Sequence, residues 1–557
     1  MRAEIKRAGG VLRLFIDGEP IAPDAYITYF THRAHYDDFA ERGYRLYSVP
    51  IFLSAKTINE RSGSLCFTAP LFDEEGEHLD VIDREIERIL SACPDALIFP
   101  RVNVSPTEEW ERANPDELCY EGVREPHRPC FSSDAWAEEL ERLLGIVIDH
   151  IAAAPYADHV IGYQIAAGHT EEWFSHDGLG SIGKRSDEKY RSLCEREGGS
   201  PTEEGYYLFL SDVVADRIAA LARFAKQRAG RDKLVGSFYG YTLECPFRES
   251  CHLSLGRLLD CPDIDFISSP VSYTYGRALG RDHGPMLPTG SLLEHGKLYF
   301  CECDTRTHLT RTPYPDIEYF RQPVFGPRGE SETPEMLKMH YARSLIGGHG
   351  HWWFDMFGGW YANESYMSLM ERFLSVSRES LDCPMGSVAE LAVFIDERSI
   401  GSIRVGSELM NKVYEAREVL GIVGTPYDVY LASDFERVSD RYRAAVLIKP
   451  TVSALTDEIE RCAAQSSLPL LVMGADRDVS VGELCDFLRR SGVHLYCDAP
   501  AVVYANESYL FVHTVSDGEL KISMPSGQRL FNMLKNEKDA PTVFAKRGES
   551  YLFRIKA

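Results

Sequence analysis

Between residues 24 and 380 the hydrophobic pattern keeps switching between two forms. Eight short apolar runs recur: YITYF (26–30), LYSVPIF (46–52), ALIFPRV (96–102), HVIGYQI (159–165), KLVGSFYGY (233–241), DFISSPV (265–271), KLYFCEC (297–303) and GHWWFDMF (350–357). Runs of this length without a polar face suit strands buried on both sides. Between them lie longer segments whose apolar residues recur three and four positions apart, as in an amphipathic helix. Examples are LDVIDREIERILSACP (79–94), DAWAEELERLLGIVIDHIAAAP (134–155), residues 206–229, HLSLGRLLDCP (252–262), TPEMLKMHYARSLIGG (333–348) and SYMSLMERFLSVSRESL (365–381). Alternating strands and helices imply parallel strands with crossover helices, and eight is the number that closes a (β/α)8 barrel. The opening VLRLFIDGEPIAP (11–23) reads as a short hairpin around Asp17-Gly18. The predicted barrel unit is therefore residues 1–385.

A break near Asp382-Cys383-Pro384-Met385-Gly386 is followed by a second alternating series. Its strand-like runs are AELAVFIDERS (389–399), YDVYLASDF (427–435), AAVLIKP (444–450), LPLLVMG (468–474) and VHLYCD (493–498). This predicts an open, doubly wound α/β unit over 386–502. No G-x-G-x-x-G turn follows its first strand, which argues against a dinucleotide site. From Val503 the pattern becomes all strand, with SYLFVHTVSDGELKISMP and APTVFAKRGESYLFRIKA and a hairpin signal at Asp517-Gly518. A small β-unit over 503–557 is expected.

A length of 557 residues suits two or three such units. The formal charge of −25 is spread without a long acidic run, which argues against a nucleic-acid partner. No stretch of signal-peptide character opens the chain, and none is long and apolar enough to span a membrane. The 14 cysteines are scattered without a C-x-x-C pair, as expected for free thiols in a reducing, cytoplasmic setting. Cys301 and Cys303 alternate along a strand and should face the same side.

Two runs end in carboxylates. HVIGYQIAAGHTEEWF delivers Glu171 and Glu172 beside Trp173, and GKLYFCECDTRTHL delivers Glu302 and Asp304 beside Arg306. The C-terminal ends of barrel strands carry the chemistry of such folds. Two carboxyl groups there form the minimal apparatus for hydrolysing a glycosidic bond. One glutamate of the first pair would be the general acid, its pKa raised by an apolar wall from Trp173. Glu172 directly precedes that tryptophan and Glu171 is the alternate; in extended chain only one of them can face a cleft. Glu302 would be the nucleophile, with Asp304 as alternate and Arg306 holding its partner carboxylate ionised.

Other strand ends offer substrate contacts: Arg101, Asn103 and Trp110; Tyr239 and Tyr241; Tyr273; and His349, His351, Trp353 and Asp355. Arg101 could set the charge of the nucleophile and Tyr273 could hydrogen-bond it. His349, His351 and Asp355 could be read as metal ligands, but three ligands from one loop are thin grounds, and no metal and no cofactor are expected. All six tryptophans precede residue 361; tryptophans at strand ends suit stacking on a sugar ring.

On these motifs the chain resembles clan A glycoside hydrolases of the family 42 β-galactosidase type and the related family 164 β-mannosidases. The resemblance rests on FIDGEPI, PRVNVSPTEEW, ADHVIGYQIAAGHTEEW, DFISSPVSY, GKLYFCECDTRTHL and WWFDMFGGWY. It implies an exo-acting retaining β-glycosidase, β-galactosidase-like or alternatively a β-mannosidase, with Glu172 as acid/base and Glu302 as nucleophile. A non-catalytic sugar-binding barrel is the competing reading. The resemblance also implies an amidotransferase-like trimerisation domain, a small C-terminal β-domain, a homotrimer and a glycoside or oligosaccharide as substrate. The clan pattern has an Asn directly before the acid/base; here Glu171 precedes Glu172, so both stay open.

Overall fold

The computed structural model describes residues 1–54, 68–120, 127–168, 170–175, 178–179, 184–311, 329–525, 528–534, 537–538 and 542–556. All eight expected runs form strands: β1 (Asp24–Ile27), β2 (Leu46–Phe52), β3 (Leu97–Asn103), β4 (Gly162–Ala166), β5 (Leu234–Phe238), β6 (Phe266–Pro270), β7 (Leu298–Cys303) and β8 (Gly350–Phe354). They pair in sequence order, all parallel, and β8 returns to β1 to close the barrel. Helices follow the strands, among them Asp80–Ala92, Asp134–Ala153, Glu203–Ala229, Thr333–Gly347 and Glu364–Ser380. Every residue of β2, β3 and β7 is buried, which is why these strands read as unbroken apolar runs.

Side chains that alternate inward fill the barrel in layers. Phe99, Phe266, Phe300 and Trp352 pack ring against ring, with Phe300 and Trp352 stacked at 4.9 Å and Phe99 and Phe300 at 5.5 Å. Two residues further along β3 and β7 the same inward face presents Arg101 and Glu302. The polar site therefore rests on an aromatic floor. Glycines make room for the rings: a Cβ on Gly236 would collide with Phe266, and one on Gly350 would press on Phe300.

The Asp17-Gly18 turn joins antiparallel strands, with φ of 50° and 92° at the two turn residues. The second sheet holds β9 (Leu391–Ile395), β10 (Tyr427–Leu431), β11 (Ala444–Lys449) and β12 (Leu470–Gly474) in the order β10-β9-β11-β12, all parallel. The fifth expected strand, 493–498, is not one. Its backbone bonds leave the sheet: Tyr496 N–H reaches Gly424 O at 2.9 Å, and Tyr496 O accepts from Ser523 N at 2.7 Å. The chain is here crossing to the last unit. That unit is all strand, from Ala501–Ala505 to Ser550–Lys556. Asp517-Gly518 does not make a hairpin between neighbouring strands; Gly518–Lys521 pairs instead with Thr542–Ala545. Cys301 and Cys303 do share a side, their sulfurs 3.9 Å apart, and the described cysteines are free thiols. No helix among the described residues is long and apolar enough to cross a membrane.

Gly236→Ala should cost about 1–3 kcal/mol by overpacking the ring layer. The check is a lower urea midpoint; an unchanged midpoint would show that the Phe266 ring can move aside.

Candidate active site

After β4 the backbone makes a turn that ordinary residues resist. Thr170, Glu171 and Trp173 have φ of 54°, 67° and 63°. Left-handed non-glycine residues cost on the order of 1–2 kcal/mol each. Trp173 holds the turn shut. Its N–H bonds Ala167 O at 2.8 Å, its indole N–H bonds Ile165 O at 3.2 Å, and its ring is fully buried against Phe131. The two glutamates in between take different environments. Glu171 is fully buried inside the barrel, accepting from the Tyr29 hydroxyl at 2.6 Å and from Arg101 Nη1 at 3.4 Å. Glu172 is half-buried and accepts from the Tyr241 hydroxyl at 2.8 Å and the Thr170 hydroxyl at 2.5 Å.

Glu302 ends β7 and points at Arg101. Arg101 Nη2 donates to it at 2.9 Å, and the Trp352 indole N–H donates at 3.1 Å. Trp352 can do so because the β7–β8 register sets it beside Glu302. Arg101 is itself fixed by Gln164 Oε1 at 2.9 Å and lies among the rings of Phe238, Trp352, Phe354 and Tyr29, 4.9–5.9 Å from their centroids. Asp304 sits two residues on, fully buried. It accepts from the Tyr273 hydroxyl at 2.5 Å and pairs with Arg277 at 2.5 Å and Arg306 at 2.9 Å.

These surroundings split the proton affinities. Burial pushes Glu172 up to about 8; the charges of Glu302 and Asp304 add to the rise, while the Thr170 and Tyr241 hydroxyls oppose it. Burial pushes Glu302 up to about 7, with Arg101 as the largest opposing influence. Glu171 is likewise raised by burial against the pull of Arg101. Asp304 goes the other way: burial would raise it, but Arg277 and then Arg306 hold it below the ordinary carboxylate value. The arrangement thus offers a carboxylic acid at Glu172, a more readily ionised carboxyl at Glu302, and a locked carboxylate at Asp304.

The structure gathers Arg101, Glu171, Glu172, Tyr241, Tyr273, Glu302, Asp304 and Arg306 as three hydrogen-bonded groups, Arg101 with Glu171 and Glu302, Glu172 with Tyr241, and Asp304 with Tyr273 and Arg306, that act on one another through charge. Asn103 joins the first group through a hydrogen bond to Glu171, with Ser105 donating to its Oδ1 at 2.6 Å. Tyr273 bonds Asp304 and not Glu302, and Arg306 meets Asp304 through one nitrogen, not as a bidentate fork. The remaining expected contacts lie elsewhere. Trp173 is an anchor with no exposed face. Trp353 points out of the barrel, bonding the Tyr44 hydroxyl at 3.1 Å and stacking on Phe373. Asp355 is buried and braces the loop after β8, accepting from Tyr26, Gly359 N and Trp360 N. Tyr239 donates to the Ser211 and Cys251 carbonyls, away from the site. Trp110 is half-buried on the short helix Glu108–Ala113, packed at the edge of the core. His349 and His351 are held neutral, burial pushing each down to about 3. They do not converge with Asp355; among the described residues the only three metal-type side chains that meet are Glu436, Glu458 and Cys462, in the second unit.

Tyr29, Gln164, Trp352 and Arg277 were missed. Trp352 and Gln164 carry an alternation signal, being inward positions of β8 and β4, but Arg277 lies in a loop with no pattern to mark it.

No protein-family profile and no curated protein matches this sequence. Solved structures do match in fold. A β-galactosidase from Rahnella sp. R3 is similar with a TM-score of 0.65 at 10% identity, over 100% of both chains. An exo-carrageenase GH42 from Bacteroides ovatus matches with 0.63 at 12% identity, over 99% of this chain and 84% of that one. An α-L-fucosidase isoenzyme 2 from Paenibacillus thiaminolyticus matches with 0.57 at 10% identity, over 96% and 97%.

Arg101→Met should destabilise the protein by about 3–5 kcal/mol, since it leaves two buried carboxylates without a cation. Adding Glu171→Gln should restore part of that loss in urea melts. Equal losses in the single and double variants would show that Glu171 does not depend on Arg101.

Proposed function

We propose that the protein is an exo-acting retaining β-glycosidase, β-galactosidase-like, with Glu302 as nucleophile and Glu172 as acid/base. The observation that carries this reading is the contrast between the two strand-end carboxyls. Glu302 is held by a guanidinium and an indole N–H, donors that favour its charged form. Among the described residues the Glu172 side chain is held by hydroxyls alone, and burial pushes it up to about 8. One carboxyl with a cationic donor beside one with neutral donors only is the asymmetry the two roles require. The fold neighbours named for glycoside-cleaving activities agree with this reading.

In the first step the Glu302 carboxylate attacks the anomeric carbon while Glu172 gives its proton to the leaving oxygen. The glycosidic C–O bond breaks and a glycosyl ester forms. In the second step Glu172, now ionised, takes a proton from water; the water oxygen attacks the anomeric carbon and Glu302 leaves. Glu171 has no exposed surface, which disfavours it as the acid/base, and Asp304 is held by two arginines too tightly to act as nucleophile. With this function we pair a catalytic unit of residues 1–385, an amidotransferase-like unit of 386–502 serving trimerisation, a β-unit of 503–557, and a homotrimer working in the cytoplasm. The parallel four-stranded sheet and the separate all-β sheet support that division.

Glu302→Gln should cut kcat/KM on nitrophenyl β-glycosides on the order of 10³-fold or more. An unchanged rate would remove Glu302 as the nucleophile, whereas no turnover by the unsubstituted protein would leave only a sugar-binding barrel. Glu302 must be ionised and Glu172 protonated, so activity should fall as pH drops below about 7 and again as it rises above about 8. Glu172→Gln should abolish the alkaline limb and slow poor leaving groups far more than dinitrophenolate. An alkaline limb that persists in this variant would assign the proton to another group.

A further inference from the structure

The wall of the site around Asp304 holds more positive charge than it uses. Arg277 is 1% exposed and all its arms are engaged: Nε to Ser272 O at 3.1 Å, Nη1 to Asp304 O at 3.0 Å, and Nη2 to Val271 O at 2.8 Å and Asp304 Oδ1 at 2.5 Å. That guanidinium alone balances Asp304. Arg306 brings a second one to the same carboxylate, through Nη1 only, at 2.9 Å to Oδ2 and 3.3 Å to the carbonyl. Among the described residues its Nε and Nη2 meet no acceptor, and Asp304 is the one carboxylate within 4.0 Å of it. Its side chain is 17% exposed, against 0% for Asp304.

Among the described residues no acceptor occupies the free edge. The Trp360 ring lies 5.4 Å from the guanidinium carbon and covers one face. Glu172 is in the same neighbourhood, since its charge and that of Arg306 both act on the Tyr273 hydroxyl. Even so it makes no ion pair with Arg306; its oxygens take the Thr170 and Tyr241 hydroxyls. A guanidinium with one nitrogen anchored and two others open matches the oxygens of a carboxylate or a sulfate ester, and a charge-assisted bond of this kind is roughly twice as strong as a neutral one. The overall charge of −25 would repel an anion at long range, but that field is screened beyond about 8 Å at physiological ionic strength. Local contact decides.

We propose that Arg306 is the recognition site for a negatively charged group, a carboxylate or a sulfate ester, on the substrate sugar. The proposal deepens the glycosidase reading and rests on it for the word substrate; binding can be measured without turnover.

The test is calorimetric titration of the whole protein with galactose, galacturonate and galactose 6-sulfate, and with the corresponding gluco and manno sugars. At least one charged sugar should bind about tenfold or more tightly than its neutral parent. The arm that shows the gain, uronate or sulfate, identifies the group. Arg306→Gln should erase the difference while thermal melting verifies folding, and Arg306→Lys should keep part of it. Equal affinity of charged and neutral sugars, no binding of any charged sugar, or a preference that survives in Arg306→Gln would each overturn the proposal. Charged-sugar binding without hydrolysis of any nitrophenyl glycoside would overturn the glycosidase reading and leave this one standing. Turnover of neutral glycosides without a charge preference would do the reverse.

Discussion

One buried guanidinium organises the centre of this barrel. Arg101 has no access to solvent, and it faces Glu302 on one arm and Glu171 on the other. Taking such groups out of water costs several kcal/mol per ion, and they are tolerated only where geometry and further hydrogen bonds compensate. Here Gln164, Tyr29 and Trp352 supply those bonds, and four aromatic rings close around the cation. Two carboxylates share this one positive charge. Burial, with the charge of Asp304 added, is what holds Glu302 above the ordinary carboxylate value even with an arginine at 2.9 Å.

The same economy of position explains how neighbours in sequence acquire different chemistry. Glu171 and Glu172 are adjacent, yet one is locked to Tyr29 and Arg101 and the other reaches Tyr241. The left-handed turn through Thr170, Glu171 and Trp173 makes that separation, and its strain is offset by the buried tryptophan that pins it. Strain of this kind persists only where the surroundings over-determine it.

The eight strands could be read from the sequence because parallel strands buried on both faces are apolar throughout, and no choice of register is needed to see them. Register is where reading failed. Trp352 and Trp353 are adjacent and equally aromatic, but strand alternation turns one toward Glu302 and the other out against Phe373. Alternation shows that only one of the two can face inward; the pairing of Glu302 with Trp352 across β7 and β8 decides which. Asp355 failed for a related reason: its oxygens satisfy the backbone of its own loop, a role that looks the same in sequence as a ligand contact. The run 493–498 has strand composition, but its backbone partners lie in two different units. Arg277 carried no signal because it is placed by the loop after β6, and loops have no hydrophobic period.

That loop shows how far the site extends beyond the barrel. Tyr273 and Arg277, which lock Asp304, lie within residues 271–285. Glu244 accepts from Tyr273 N at 2.8 Å and Ser272 Oγ at 2.6 Å, and is itself paired at 2.8 Å with Arg417 of the second unit. Further along, Gly280 N donates to His513 at 2.8 Å, and Asp282 accepts from the Tyr504 hydroxyl at 2.6 Å, both partners belonging to the final β-sheet. A surface loop with only its own contacts would open at little cost. Tied at three points to two other units, this one can open only if those contacts break as well. The orientation of the Asp304 wall is thus a property of the whole chain, and the two units after the barrel hold part of the site in shape although, among the described residues, none of their side chains bonds its central carboxylates.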